Sequence, residues 1–291
     1  MPQFSGEGTS ESERFWRAYN SSSSDVDHWQ EFRESFKSSL DTLDLNHFKS
    51  WYNIRGLPLW GGLWSNESEE VQHINKISNF LSNNKEQRWK DSLKEELDFY
   101  SHPSHSPSYS IAGIDSEITR VRYLYHWITL FENGIDAKDL NFIFEFGGGV
   151  GHIPKLTKQL GFSGEYFIYD FPELCSIQNF YNKMQIKTAS DLALVDTLLS
   201  PLKESRGGLF YSTWGFSESP LKTRLLMQKH FKHFDYFAIL YQSNIFNLNN
   251  KDFFKDMAWI FSDIDWVTVD HPSTWDGGSK YLIGKRRYPQ P

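Results

Sequence analysis

Phe144-Glu-Phe-Gly-Gly-Gly-Val-Gly-His152 decides the reading of this 291-residue chain. The apolar run Phe142–Phe146 reads as a strand. The residues after Gly151 carry a helical pattern to about Leu160, with Gly161 placed to cap it. Glycines at such a junction let the backbone turn tightly and let a ligand approach it closely. A dinucleotide-binding turn requires Gly-x-Gly-x-x-Gly. Counted from Gly147, the third glycine position holds His152; counted from Gly149, it holds Pro154. That pattern fails. The pattern that fits is acid-x-Gly-x-Gly-x-Gly, with Glu145 as the acid and Gly147, Gly149 and Gly151 as the glycines.

Outward from the turn, the next strand, Tyr166–Tyr169, ends in an acid. Asp170 lies 19 residues after Gly151, close to the ~20 expected of a carboxylate that accepts bonds from a ribose diol. It also stands where a helix N-cap belongs, because Pro172 opens a helix directly afterwards. Phe171 is placed to flank an adenine or to pack in the core. Further strands follow at Leu209–Thr213, Tyr236–Tyr241, Trp266–Val269 and Tyr281–Ile283. Helices separate them except between the last two. The expected fold is α/β: a doubly wound, Rossmann-like, mostly parallel sheet with one antiparallel strand at the C-terminal end. Upstream the pattern is helical, with stripes at Val26–Leu43, Val71–Leu81, Trp89–Tyr100 and Ile118–Phe131. Residues 1–138 are therefore expected to form a helical N-terminal region that caps the site, binds acceptor or dimerises. Residues 139–291 are expected to form the sheet domain.

Composition narrows the function. The chain carries 24 Phe, 11 Trp and 14 Tyr, enough for a large core. Its formal net charge of −7 offers no basic footprint for nucleic acid. One cysteine fits a reducing compartment, and no apolar run approaches a membrane span. No signal peptide is visible, so the expectation is a soluble, cytoplasmic protein without membrane insertion.

The acid and three glycines resemble the first motif of class I S-adenosylmethionine-dependent methyltransferases. Longer stretches resemble the sugar O-methyltransferase family encoded with surface-polysaccharide genes. These are the glycine segment itself, Tyr169-Asp-Phe-Pro-Glu-Leu174, Ser212-Thr-Trp-Gly-Phe-Ser-Glu-Ser-Pro220 and Tyr281-Leu-Ile-Gly-Lys285. The resemblance covers about residues 123–285. It departs from the group at Val150, where an aromatic is usual, and at His152. It implies S-adenosyl-L-methionine as cofactor, with Glu145 near the methionine end, the glycines on methionine and ribose, and Trp214 as a wall beside them. It also implies a hydroxyl acceptor on a sugar or glycan precursor. The competing readings are an NAD(P)-dependent oxidoreductase and a non-catalytic cofactor-binding scaffold subunit.

In a doubly wound sheet, ligands sit beyond the carboxyl ends of the strands. His271, at the end of one strand, is the candidate general base, and Glu218 is its rival. Gln242, at another strand end, and Trp275, in the loop after His271, are candidate acceptor contacts. So are Trp60 and Trp64, since sugars stack on indoles. His152 is placed to open a helix or to touch a ligand. No cluster with zinc spacing is visible, so metal-independent transfer is expected. A homodimer is possible through the N-terminal helices.

Overall fold

A computed structural model describes residues 67–94, 108–149, 151–182, 186–202, 205–245, 248–273 and 278–288, together with Gln30, Arg33, Glu34 and Lys37. Two helices come first, α1 (Glu67–Asn83) and α2 (Gln87–Asp91). A hairpin, β1 (Ser108–Ile111) with β2 (Ile114–Glu117), leads into α3 (Ile118–Glu132). The alternating part follows as β3 (Phe142–Phe146), α4 (Ile153–Gln159), β4 (Glu165–Tyr169), α5 (Pro172–Tyr181), β5 (Lys187–Ala189) and α6 (Leu192–Leu199). Then come β6 (Gly208–Thr213), α7 (Gly215–Glu218), α8 (Leu221–Gln228) and β7 (Tyr236–Gln242). A two-residue pair, β8 (Asn244–Ile245) with β9 (Leu248–Asn249), precedes α9 (Asn250–Ile260), β10 (Ile264–His271) and β11 (Ser279–Arg286).

The main sheet has seven strands in the order β10-β11-β7-β6-β3-β4-β5. Strands β5, β4, β3, β6 and β7 pair in parallel. β11 runs antiparallel to both β7 and β10 and is wedged between them. The architecture is thus the expected one: a doubly wound, mostly parallel sheet with a single reversed strand at the C-terminal end. Strand order reverses between β3 and β6, which makes their carboxyl ends the natural ligand crevice.

Side-chain alternation sorts the core onto two faces. Phe142, Phe144, Phe146, Phe210 and Phe237 pack with helices α6 to α9. Ile143, Ile168, Tyr211, Leu240 and Tyr281 pack on the other face with α1 to α4. Trp127 of α3 is fully buried there and stacks on Tyr211 at 6.1 Å between ring centroids. The described helices α1 to α3 therefore share one core with the main sheet, whose first strand in chain order begins at Phe142.

The elements differ from the sequence expectation in three places. The region read as mostly helical contains the β1–β2 hairpin. A third parallel edge strand, β5, and helix α6 occupy a stretch in which no element was expected. The helix expected from Pro220 to about His233 ends at Gln228, and Phe231–His233 forms a 3-10 turn instead. Trp60, Trp64 and Trp275 lie outside the described residues.

Candidate functional site

The turn after β3 is held by its backbone. Gly147 N–H donates to Tyr169 O at 2.8 Å, and Gly151 N–H to Gly148 O at 2.9 Å. Gly147, Gly149 and Gly151 all have positive φ, at 78°, 56° and 83°, where a Cβ is strained. Their surroundings differ. A Cβ on Gly151 would lie 2.7 Å from Asn182 Nδ2, whereas a Cβ on Gly149 would meet nothing within 4 Å among the described residues. Gly149 thus borders open space. Gly147 abuts the turn after β6: a Cβ on Gly147 would lie 2.9 Å from Gly215 Cα, and one on Gly215 would lie 2.9 Å from Gly147 Cα. Ser212 ties the same two turns together, donating to Phe146 O and accepting from Phe216 N–H, both at 2.9 Å.

Two buried carboxyl groups flank the glycines. Glu145 is fully buried on the α3 side of β3 and accepts from Tyr166 OH at 2.8 Å. Burial pushes its pKa up to about 8, opposed by the Tyr166 bond and reinforced by nearby Asp170. Asp170 accepts from Gly149 N–H, Phe171 N–H and Gln178 Nε2, each at 2.8 Å. Burial pushes its pKa up to about 7 against these bonds. These donors to the two acids are all neutral groups. Asp170 also fastens the turn, and Gln178 reinforces it by donating to Gly149 O at 2.7 Å. Phe171 is half-buried, with the Arg33 guanidinium 4.9 Å from its ring centroid. His152 opens α4 and lies 6.0 Å from the Tyr123 ring.

Beyond β6 the backbone is strained. Trp214 adopts φ 65° and ψ −37°, a region rarely visited by bulky residues and one that clusters at functional sites. Its N–H donates to Leu240 O at 2.9 Å, which anchors the distortion to β7. Glu218 follows at the end of α7 and is half-buried. It accepts from Gln242 Nε2 at 2.9 Å, and Gln242 Oε1 accepts from Ser217 Oγ at 3.0 Å. The Gln242 carboxamide is therefore engaged in positioning Glu218. Burial raises the Glu218 pKa, while the Gln242 bond and the charge of Arg224 oppose the rise. Arg224 is fully buried and organises this loop, donating to Ser219 O at 2.8 Å, to Asn250 Oδ1 at 2.7 Å and to Ser217 O.

His271 lies in register with Ser279, which lies in register with Gln242, so all three occupy one rim of the sheet. It is buried among rings: His126 stacks on it at 5.7 Å, Trp214 meets it edge-on at 5.7 Å, and His73 is 5.4 Å away. Its Nδ1 accepts from Ser273 N–H at 3.1 Å, and its Nε2 is buried without a hydrogen-bond partner among the described residues. Burial, with the neighbouring imidazoles and cations adding, drives its pKa well below the usual histidine range. The ring is neutral and a weak proton acceptor.

Sequence reading missed His73 and His126, both buried, as well as Gln178 and Arg224. Only the spacing of Glu69 and His73, one helical turn apart, carried a signal.

No family model matches the sequence, and no curated protein does. Solved structures share the sheet architecture. The magnesium protoporphyrin IX methyltransferase of Synechocystis PCC 6803, solved with bound SAM, is 13% identical, with 77% of this chain and 100% of that chain covered and a TM-score of 0.43. A SAM-dependent methyltransferase of Aquifex aeolicus is 18% identical, with 56% and 89% covered and a TM-score of 0.40. Fibrillarin, a pre-rRNA processing protein of Methanococcus jannaschii, is 14% identical, with 63% and 83% covered and a TM-score of 0.44. At such scores the likeness carries no argument. The argument about chemistry rests on the residues themselves.

Proposed function

We propose that the chain is an S-adenosylmethionine-dependent O-methyltransferase acting on a hydroxyl of a sugar or glycan precursor. The observation that carries the reading is the pair Glu145 and Asp170, two buried acids held by neutral donors on either side of a glycine turn at the point where strand order reverses. Burial holds protons on these carboxyls, and a cationic ligand beside them favours their charged form. The open space beside Gly149 gives such a ligand its approach. When bound, the cofactor supplies an electrophilic methyl group on a sulfonium. The chain's residues do the rest. Asp170 Oδ1 accepts from Phe171 N–H, and a carboxylate oxygen has room for a further donor such as a ribose hydroxyl. Trp214 forms the wall between this turn and the rim.

The acceptor's proton needs a destination once its oxygen bonds to the methyl carbon and the carbon–sulfur bond breaks. Of the two candidates at the rim, Glu218 has its proton affinity raised by its surroundings and His271 has it lowered. Base strength favours Glu218 as the proton acceptor. The sugar acceptor itself is supported by the resemblance of the Tyr169–Leu174, Ser212–Pro220 and Tyr281–Lys285 segments.

Thermal unfolding tests the cofactor. S-adenosylhomocysteine at 100 times its dissociation constant should stabilise the fold by about 2.7 kcal/mol. That raises the melting temperature by several degrees, while NAD leaves it flat. A rise with NAD and none with S-adenosylhomocysteine defeats the proposal.

A further inference from the structure

We propose that Glu69, His73 and His271 form a binding site for a zinc-class divalent metal ion. The three residues come from opposite ends of the chain. Glu69 and His73 lie one turn apart on the same face of α1, and His271 ends β10. One ligand atom from each lies within 4.8 Å of the other two, and all three residues are buried. Bonds of about 2.1 Å in tetrahedral geometry need donor atoms about 3.4 Å apart. Side-chain rotations that close the remaining ångström or so complete the set. Two imidazoles and a carboxylate are the donors that zinc takes in open, three-ligand sites.

Independent support comes from unsatisfied nitrogen atoms. His73 is 1% exposed, yet neither ring nitrogen has a hydrogen-bond partner among the described residues. His271 is 6% exposed, and its Nε2 also has none. Burying such groups unpaired costs on the order of 1–3 kcal/mol each. Two cations face the cluster and are already engaged. Lys76 is bonded to Thr129 Oγ1 and Glu132, both at 2.9 Å, while Arg122 lies 3.9 Å from Glu70 and is charge-coupled to both Glu69 and Glu70, so a metal ion would share the Glu69 carboxylate with this guanidinium.

Proton bookkeeping on His271 fixes what loading changes. Its Nδ1 lone pair now accepts from Ser273 N–H, so the neutral ring carries its proton on Nε2. A metal at Nδ1 displaces that bond; a metal at Nε2 moves the proton to Nδ1 and breaks it. Either way Ser273 N–H loses its acceptor. Three protein ligands leave a fourth position, and an oxygen bound there gives up its proton more readily. With Trp214 5.7 Å from His271, that position can serve an acceptor hydroxyl. This last role rests on the methyl-transfer reading; metal binding does not.

The test uses the tag-free full chain, stripped with chelator, titrated with zinc sulfate and desalted before elemental analysis. One equivalent of zinc should be retained. Cobalt(II) should give the intense visible bands of a tetrahedral site, and magnesium should not be retained. Glu69→Gln and His73→Asn should each weaken zinc binding at least 100-fold with native circular dichroism. If His73→Asn fails to fold, the nearly isosteric Glu69→Gln decides alone. Wild-type chain that retains no zinc, or variants that retain as much as wild type, overturn the proposal. Neither result depends on methyl transfer, so the cofactor reading stands or falls separately.

Discussion

Replacing Glu145 by glutamine should make the protein more stable than wild type in mild alkali and leave it unchanged in mild acid. Burial raises this carboxyl from 4.5 to about 8 in the fold. Between those values the unfolded chain has released the proton and the folded chain keeps it. The unfolded state then binds fewer protons, so stability falls as pH rises, and the fall ends above the folded value. The full difference corresponds to about 5 kcal/mol. About 4 kcal/mol of it has been lost by pH 8, and less than about 1 kcal/mol by pH 5. Glutamine cannot ionise and can still accept from Tyr166 OH. Asp170 titrates in the same direction, from 3.8 to about 7, so the variant keeps that share of the slope. Urea unfolding of both proteins at half-unit steps from about pH 5 to 8.5 gives the two profiles. They should coincide at the acid end and diverge by about 3–4 kcal/mol at the alkaline end. Parallel profiles would refute the assignment of Glu145 as an uncompensated buried acid.

Two further outcomes test the site. Gly149→Val should leave the sheet folded, because its Cβ meets nothing within 4 Å among the described residues. The φ of 56° there costs it about 1–2 kcal/mol. It should abolish S-adenosylhomocysteine binding by calorimetry, and wild-type affinity in a folded variant would make the turn purely structural. Glu218→Gln should lower turnover about 10²–10⁴-fold with cofactor affinity intact. If His271→Gln is the crippled variant and Glu218→Gln turns over normally, Glu218 is not the proton acceptor.

Most of the sheet was legible because its strands are buried on both faces and read as apolar runs: Phe142–Phe146, Leu209–Thr213 and Tyr236–Gln242 need no tertiary information. The hairpin β1–β2 was hidden by its chemistry. Its turn residues Ala112 and Gly113 take φ of 53° and 77°, a conformation usually announced by Asn-Gly or Asp-Gly. Strand β5 pairs over three residues with one neighbour, too few to impose a period. The glycine turn with Glu145 and Asp170 was visible because its residues are close in sequence. That Asp170 would grip Gly149 was not, because the grip depends on where α5 places Gln178. The histidines at 73, 126 and 271 could not be grouped without the fold. Their proximity follows from α1 and α3 lying across the face on which β10 ends.

The contact between Gly147 and Gly215 governs how the crevice can open. Two backbones that touch without side chains between them leave no slack, and Ser212 bolts the neighbouring strand ends together. The β3 and β6 ends therefore move as one piece. The give needed to admit a ligand thus falls beyond Gly147, at Gly148 and Gly149, where Asp170 holds the Gly149 N–H.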